Sequence, residues 1–354
     1  MPRPSYARLL VVLIGTALLS LGAHADAGGP APKSSLTHRS YTEPGGLTRS
    51  YFLYQPAGLK PGRPVVMFLH GCNQTATEAI SANRFDALAD REHFTVIYPE
   101  QTRPATGSAP IVDGNGLGCW NWFLPQDQAR GSGEPAVLAG MAQAVTRAVK
   151  GDRKRVYVEG VSAGADMTVI LAATYPDVFA AVGSVAGCSF STCADLTGEL
   201  TNRAMGSHAR VVPMFIENGT ADVLNPWPQS EGLALSWLGA DDLADDGAMN
   251  GSISRVPATK YTWLPSGTPS PGSGDACIHN NSFLCLGGIL GLSDYPRTVR
   301  TWNDAGGKDI LELWVVHGMA HAQPHATNDG SYTDPLGPDL TKLTYAFFLQ
   351  HHLP

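Results

Sequence analysis

From Ser50 onward, short apolar runs bounded by turn residues alternate with longer stretches of helical composition, and this alternation constrains the fold more than any other feature. Val65-Val66-Met67-Phe68-Leu69 is apolar at every position. A strand covered on both faces reads this way, whereas a half-exposed strand alternates. Residues 94–99, 156–159, 180–185, 211–216 and 311–316 have the same character, after a first strand at Tyr51-Phe52-Leu53-Tyr54. Helical segments are expected over residues 76–91, 134–150 and 163–175, with a last one at 339–352. Regular alternation of this kind predicts an α/β fold: a mainly parallel central sheet with helices on both faces. Residues 225–295, rich in Trp, Gly, Pro, Asp and Ser, break the rhythm and read as a loop-rich insertion. There is no internal repeat.

The chain has 354 residues, of which 16% are charged, and a formal net charge of −7. That balance offers no basic footprint, so no nucleic-acid partner is expected. The N-terminus carries Arg3 and Arg8 without an acid, then an apolar run over 9–21, then Ala23-His24-Ala25. This is the form of a cleaved secretory signal over residues 1–25. The apolar run is shorter than the ~20 residues a membrane span requires, and no other stretch has a spanning pattern. A secreted protein, extracellular or periplasmic, with no membrane partner is therefore expected. Its six cysteines (Cys72, Cys119, Cys188, Cys193, Cys277, Cys285) would meet an oxidising compartment and form three bridges. Residues 26–40 read as a flexible leader and 41–354 as one domain. Oligomeric state is not encoded in any of these patterns.

The chemistry centres on Gly160-Val161-Ser162-Ala163-Gly164, which follows an expected strand and opens an expected helix. Small residues two positions either side of the serine permit a strained strand-to-helix turn that exposes the hydroxyl as a nucleophile. A serine hydroxyl needs a base and an orienting acid, which in this fold follow in the order Ser, acid, His. Asp222 lies just beyond the strand at 211–216 and is the candidate acid, ahead of Glu217 and the cluster Asp241, Asp242, Asp245 and Asp246, read as a solvated face or N-cap. Beyond the strand at 311–316 stand His317, His321 and His325. His321, in the loop, is the candidate base, and His317 at the strand end is assigned a structural role. No acid lies at helical spacing from these histidines, so neither a metal nor another cofactor is expected. Acyl transfer also needs two donors for the oxyanion: the N–H of Ala163 and, from the turn after 65–69, the N–H of Cys72, with Gly71 permitting the turn and His70 holding position.

The segments His70-Gly71-Cys72-Asn73-Gln74, Gly118-Cys119-Trp120-Asn121-Trp122-Phe123, Gly160 to Gly164 with Ala165-Asp166-Met167, Asn218-Gly219-Thr220-Ala221-Asp222 and Gly318-Met319-Ala320-His321-Ala322 stand in this order. Together they resemble the extracellular polyhydroxybutyrate (PHB) depolymerase-type esterases, which include feruloyl and acetylxylan esterases. The resemblance runs from about Ser50 to the C-terminus. It implies an α/β-hydrolase fold with Ser162 as nucleophile, Asp222 as acid, His321 as base, and Cys72 and Ala163 as oxyanion donors. It also implies a Cys72–Cys119 disulfide fixing the oxyanion loop beside a wall of Trp120 and Trp122. The chain departs from the family pattern at Asn218, often His, and at Ala320, often Gly. It ends at Pro354 without the linker and separate substrate-binding module that polymer-degrading members append, so soluble oligomers or small esters are expected ahead of crystalline polyester.

The remaining cysteines fit local bridges, Cys188–Cys193 and Cys277–Cys285, although four cysteines allow three pairings. Trp120 and Trp122 are the aromatics expected near substrate, while Trp227 and Trp263 fit a groove or the core equally well. The expected activity is a secreted serine esterase acting on hydroxyalkanoate (PHB-type) oligomers, polyester or short-chain esters. Its rivals are a feruloyl or acetylxylan esterase, another polymer hydrolase, and a secreted binding protein on an inactive hydrolase scaffold.

Overall fold

Val65–Leu69 (β3) is buried at all five positions because it lies inside a ten-stranded sheet. A computed structural model of the protein describes residues 33–103, 114–264, 294–327 and 331–354. The other sheet strands are β1 (Ser35–Thr42), β2 (Thr48–Gln55), β4 (Thr95–Pro99), β5 (Val156–Val161), β6 (Ala181–Val185), β7 (Met214–Gly219), β8 (Thr259–Trp263), β9 (Arg297–Asn303) and β10 (Asp309–Val316). Their order is β1-β2-β4-β3-β5-β6-β7-β10-β9-β8. The six central strands, β4 to β10, run parallel, with antiparallel pairs at each edge. This is the mainly parallel α/β sheet that the alternation predicts, and the α/β-hydrolase architecture that the resemblance implies.

Side chains along a strand point to opposite faces, so β3 feeds two cores. Met67 and Leu69 join the first with Val137 and Leu138 of α3 (Gly133–Ala148), Met167 and Leu171 of α4 (Ala163–Thr174), and Leu233 and Trp237 of a later helix. Val66 and Phe68 join the second with Ala79 of α1 (Ala76–Ala82), Phe85 of α2 (Phe85–Glu92) and Phe347 of the last helix, α7 (Leu340–Phe348). Between α3 and α7 come α4, α5 (Glu199–Met205) and α6 (Pro228–Asp246). Among the described residues no helix is long and apolar enough to cross a membrane.

Several elements differ from the sequence expectation. Residues 35–40, assigned to the leader, belong to β1, which pairs antiparallel with β2 from Ser35 to Thr42. It is an edge strand exposed on most of its length, so its sequence carries no apolar period to read. The helix expected over 76–91 is two, broken where Arg84 takes φ +60° and the Asn83 side chain accepts from the amide of Phe85. The expected loop-rich insertion at 225–295 begins with the 19-residue helix α6 and continues into edge strand β8. Leu233, Ala234, Trp237, Leu238 and Ala240 supply the buried stripe of α6, and Gly247 at φ +87° ends it. Of the acidic cluster on α6, Asp245 and Asp246 are exposed, as a solvated face would be, whereas Asp241 and Asp242 are buried. Asp241 is fully buried and accepts from the amide of Val212 (2.9 Å), and burial pushes its carboxyl well above the usual range. Asp242 accepts from the amides of Gly251 and Ile253, at 2.9 Å each.

The order β4-β3-β5-β6 contains the feature that matters for function. From β3 the chain crosses to β4 on one side, and from β5 to β6 on the other, so the strand order reverses between β3 and β5. In open α/β sheets ligands bind at such a switch point, beyond the carboxyl ends of the strands.

Trp237 anchors α6, with its ring fully buried and its Nε1–H donating to Val212 O at 2.8 Å. Trp237→Ala should lower the unfolding free energy by about 3–5 kcal/mol, the range for removing a large buried aromatic. Urea unfolding checks this; a loss under about 1 kcal/mol would mean that α6 adds little to the core.

Candidate active site

Ser162 sits at the turn between β5 and α4 with φ +56° and ψ −124°, a conformation costly for any residue with a side chain. The flanking glycines explain how the turn closes. A Cβ on Gly160 would lie 2.3 Å from the Gly164 backbone, and one on Gly164 would lie 2.2 Å from Leu69 O. Both positions therefore require glycine, and Ser162 is left half-buried at the N-terminus of α4. Its own N–H donates to Val185 O (2.9 Å), which fixes the turn against β6.

The segment 70–74 after β3 passes directly over this turn. A Cβ on Gly71 would stand 3.3 Å from Ser162 Cβ. Within the turn, Gly71 N–H donates to Gln74 Oε1 (2.8 Å) and Asn73 N–H to Leu117 O (2.7 Å). The candidate donors are the intervening Cys72 N–H and the amide of Ala163, which lies in the first helical turn and has no acceptor within its own helix. Cys72 is joined to Cys119 by a disulfide, and Cys188 to Cys193 by another. Cys277 and Cys285 lie outside the described residues.

His70 is not a second base. Its Nε2 accepts from the amide of Gln101 (3.2 Å), so Nδ1 carries the proton and donates to Gly71 O (2.8 Å). Burial pushes the imidazole down to about 4, which keeps it neutral. The expected wall of Trp120 and Trp122 is corrected in part. Trp120 is fully buried, its Nε1–H donating to His70 O (3.1 Å) and its ring 5.5 Å from that of His70, so it supports the loop from within the core. Trp122 is half-buried, with the exposed Phe123 ring edge-on at 5.8 Å.

Behind this loop lies a buried polar cluster that no local sequence pattern announces. Glu134, at the start of α3, accepts from the Arg49 guanidinium (3.1 Å), from the Gln101 amide, and from Asn121 N (2.7 Å) and Nδ2 (3.1 Å). Gln101 also donates to Cys119 O (2.8 Å). Burial raises the Glu134 carboxyl while Arg49 lowers it. The cluster thus holds the turn at 70–74 at His70, its first residue, and at Cys72, through the disulfide to Cys119.

The candidate acid and base meet beyond β7 and β10. His321 Nδ1 lies 2.7 Å from Asp222 Oδ2, and both residues are buried. Asp222 Oδ1 accepts from the amides of Leu224 (2.9 Å) and Asn225 (2.8 Å), so each oxygen of the carboxylate is engaged. Asn225 donates in turn to Ala186 O, and Asn218 donates to Asn225 O (2.9 Å) and Ser230 Oγ (3.1 Å). Asn218 therefore braces the acid loop. The two loops are stitched together: Ala221 N–H donates to Met319 O (2.9 Å), Thr220 N–H to Val316 O (2.9 Å) and Gly318 N–H to Thr220 Oγ1 (2.9 Å). Gly219 allows the approach, since a Cβ there would lie 2.1 Å from Met319 O.

The alternatives fall elsewhere. His317 is paired with Thr298 Oγ1 (2.9 Å), and His325 Nε2 accepts from Arg84 (3.1 Å). Glu217 is wholly buried and pushed well above the usual carboxylate range, by burial first and then by the charge of Asp222. Among the described residues no group of His, Cys, Asp and Glu side chains clusters as metal ligands would.

A family model described as "Esterase PHB depolymerase" matches residues 49–226, a span that holds the oxyanion turn, the serine turn and Asp222. The chain belongs to this esterase family. Poly(3-hydroxyalkanoate) depolymerase C of Paucimonas lemoignei is 38% identical over 290 residues, covering 80% of this chain and 60% of that protein. Acetylxylan esterase A of Aspergillus oryzae is 32% identical over 146 residues, 40% of this chain and 44% of that one. Feruloyl esterase B of Neurospora crassa is 33% identical over 150 residues, 41% and 47% respectively. The chain thus spans 60% or less of the length of each of these esterases. Among solved structures, an acetyl xylan esterase from Aspergillus awamori shares the fold, with a TM-score of 0.57 at 19% identity over 80% of this chain and 94% of that one.

Protonation of His70 would break its hydrogen bond from Gln101. With a folded-state value of about 4 against the ordinary 6.5, the neutral ring stabilises the fold above pH 6.5, and that stability is lost as pH falls toward 4. The full loss is about 3 kcal/mol. In His70→Asn the difference in unfolding free energy from wild type should shrink by this amount across that interval. Urea titrations at both ends check it, and a constant difference would refute the assignment.

Proposed function

We propose that this protein is a secreted serine esterase that cleaves carboxylic ester bonds, with hydroxyalkanoate esters as its substrate class. The observation that carries this reading is the buried 2.7 Å contact of His321 with Asp222, at the switch-point edge that also bears Ser162 in its strained turn. Asp222 holds Nδ1 of His321, which leaves Nε2 to take the Ser162 proton as Oγ attacks the ester carbonyl. The amides of Cys72 and Ala163 receive the oxyanion. Collapse expels the alcohol, which takes the proton from His321. Water, deprotonated by His321, then attacks the acyl-Ser162 ester and frees the acid.

The substrate class rests on extent of likeness. The alignment with the Paucimonas lemoignei depolymerase covers 80% of this chain, whereas those with the acetylxylan and feruloyl esterases cover 40% and 41%. Export is supported by the signal pattern over residues 1–25 and by the two disulfides.

Ser162→Ala should lower kcat for p-nitrophenyl butyrate by at least ~10⁴-fold with an unchanged circular dichroism spectrum. Retained hydrolysis would remove Ser162 from the reaction. The wild-type protein should cleave 3-hydroxybutyrate oligomers at a higher kcat/KM than methyl ferulate or acetylated xylan; the opposite order would reassign the substrate class and leave the triad standing.

A further inference from the structure

Tyr332 is a residue that the triad chemistry leaves unused, and its position is held by several independent contacts. Its ring stands edge-on to the imidazole of His321, with centroids 5.9 Å apart and planes at 84°. Its backbone takes φ +56°, a strained conformation for an aromatic residue, of the kind that persists where surrounding contacts dictate it. Those contacts are specific. Tyr332 O accepts from Gln323 N–H (3.0 Å), and Thr333 and Asp334 pair in parallel with Gln323 and Pro324. The preceding carbonyl, Ser331 O, accepts from Gln74 Nε2 (2.6 Å), the same side chain that shapes the oxyanion turn. Tyr332 as a whole is half-buried.

In acyl transfer by this kind of triad, the base that takes the serine proton returns it to the departing alkoxide. The leaving oxygen must therefore lie within hydrogen-bond reach of Nε2 when the carbon–oxygen bond breaks. Whatever covers the base therefore borders the alcohol half of the ester. The geometry points to Tyr332 as the specificity-determining wall of the leaving-alcohol site, offering an aromatic face to an apolar or extended alcohol such as the next unit of a hydroxyalkanoate chain. This assignment rests on the proposed esterase reaction with His321 as base. Tyr332 acts by contact and transfers no proton.

The consequence is an asymmetry between the two halves of the substrate. Once the alcohol has left, the acyl-enzyme no longer meets Tyr332, so deacylation is indifferent to it. Tyr332→Ala and Tyr332→Phe are compared with wild type on two series: butyrate esters of methyl, hexyl and benzyl alcohol and of 3-hydroxybutyrate, and p-nitrophenyl esters of acetate, butyrate and octanoate. In Tyr332→Ala the ratio of kcat/KM for benzyl over methyl butyrate should fall about tenfold, the scale of one lost aromatic contact. Ratios along the acyl series and the deacylation rate after the burst should stay within about twofold of wild type. Tyr332→Phe, which keeps the ring, should retain the wild-type ratios. A uniform loss across both series would make Tyr332 a structural support only, and a change confined to the acyl series would put it on the other side of the carbonyl; either overturns the proposal. A wild-type protein inactive on every ester would instead overturn the esterase reading itself.

Discussion

The close approach of three backbone segments between β3 and β5 is the constraint on which the site depends. Leu69, Gly160 and Gly164 come so near one another that two Cβ atoms are sterically excluded. Only with that space empty can β5 turn abruptly into α4 and hold Ser162 at positive φ. The glycines cost conformational entropy on folding, and the serine backbone is strained. Both costs are offset by the apolar cover that α3, α4 and α6 lay over one face of the sheet and α1, α2 and α7 over the other. The large core thus stabilises a local geometry that would not persist alone.

Around that crossing, buried polar groups do what apolar packing cannot: they fix direction. His70, Gln101, Asn121, Arg49 and Glu134 form a continuous set in which a neutral imidazole and a multiply bonded carboxylate orient the oxyanion turn. A buried charge without partners would cost several kcal/mol, so each member constrains the others. On the far side, Asn218, Asn225 and Ser230 orient Asp222 in the same manner, and Asn218 does so by bracing the loop rather than by touching the triad.

Much of this was legible in the sequence because the signals are local. The fully apolar run at 65–69, the spacing of Gly160, Ser162 and Gly164, and the places of Asp222 and His321 after apolar strands each follow from a rule about neighbouring residues. What stayed hidden is non-local or amphipathic. Edge strand β1 has no apolar period, and α6 disguised its buried stripe among Gly, Ser and Asp, so Asp241 read as solvated although it caps the amide of Val212. Trp120 read as a cleft wall because an aromatic beside a reactive motif fits either role; its full burial and its bond to His70 O separate them. The Arg49–Glu134 pair joins positions 85 apart, and no window along the chain contains both.

The stitching of the Asp222 loop to the His321 loop has a mechanical corollary. With Thr220, Ala221 and Gly318 bonded across and Gly219 packed against Met319 O, Asp222 and His321 are carried on the ends of β7 and β10 as one block. Ser162 and the turn at 70–74 are carried on β5 and β3 as another. The two blocks are joined through β6, by Ser162 N–H to Val185 O and Asn225 to Ala186 O, and across the top by Gln74, which reaches from the turn at 70–74 to Ser331 O. Gln74 thus links the turn that faces Ser162 to the segment that stands against His321, so one side chain sets the spacing of parts carried by four different strands.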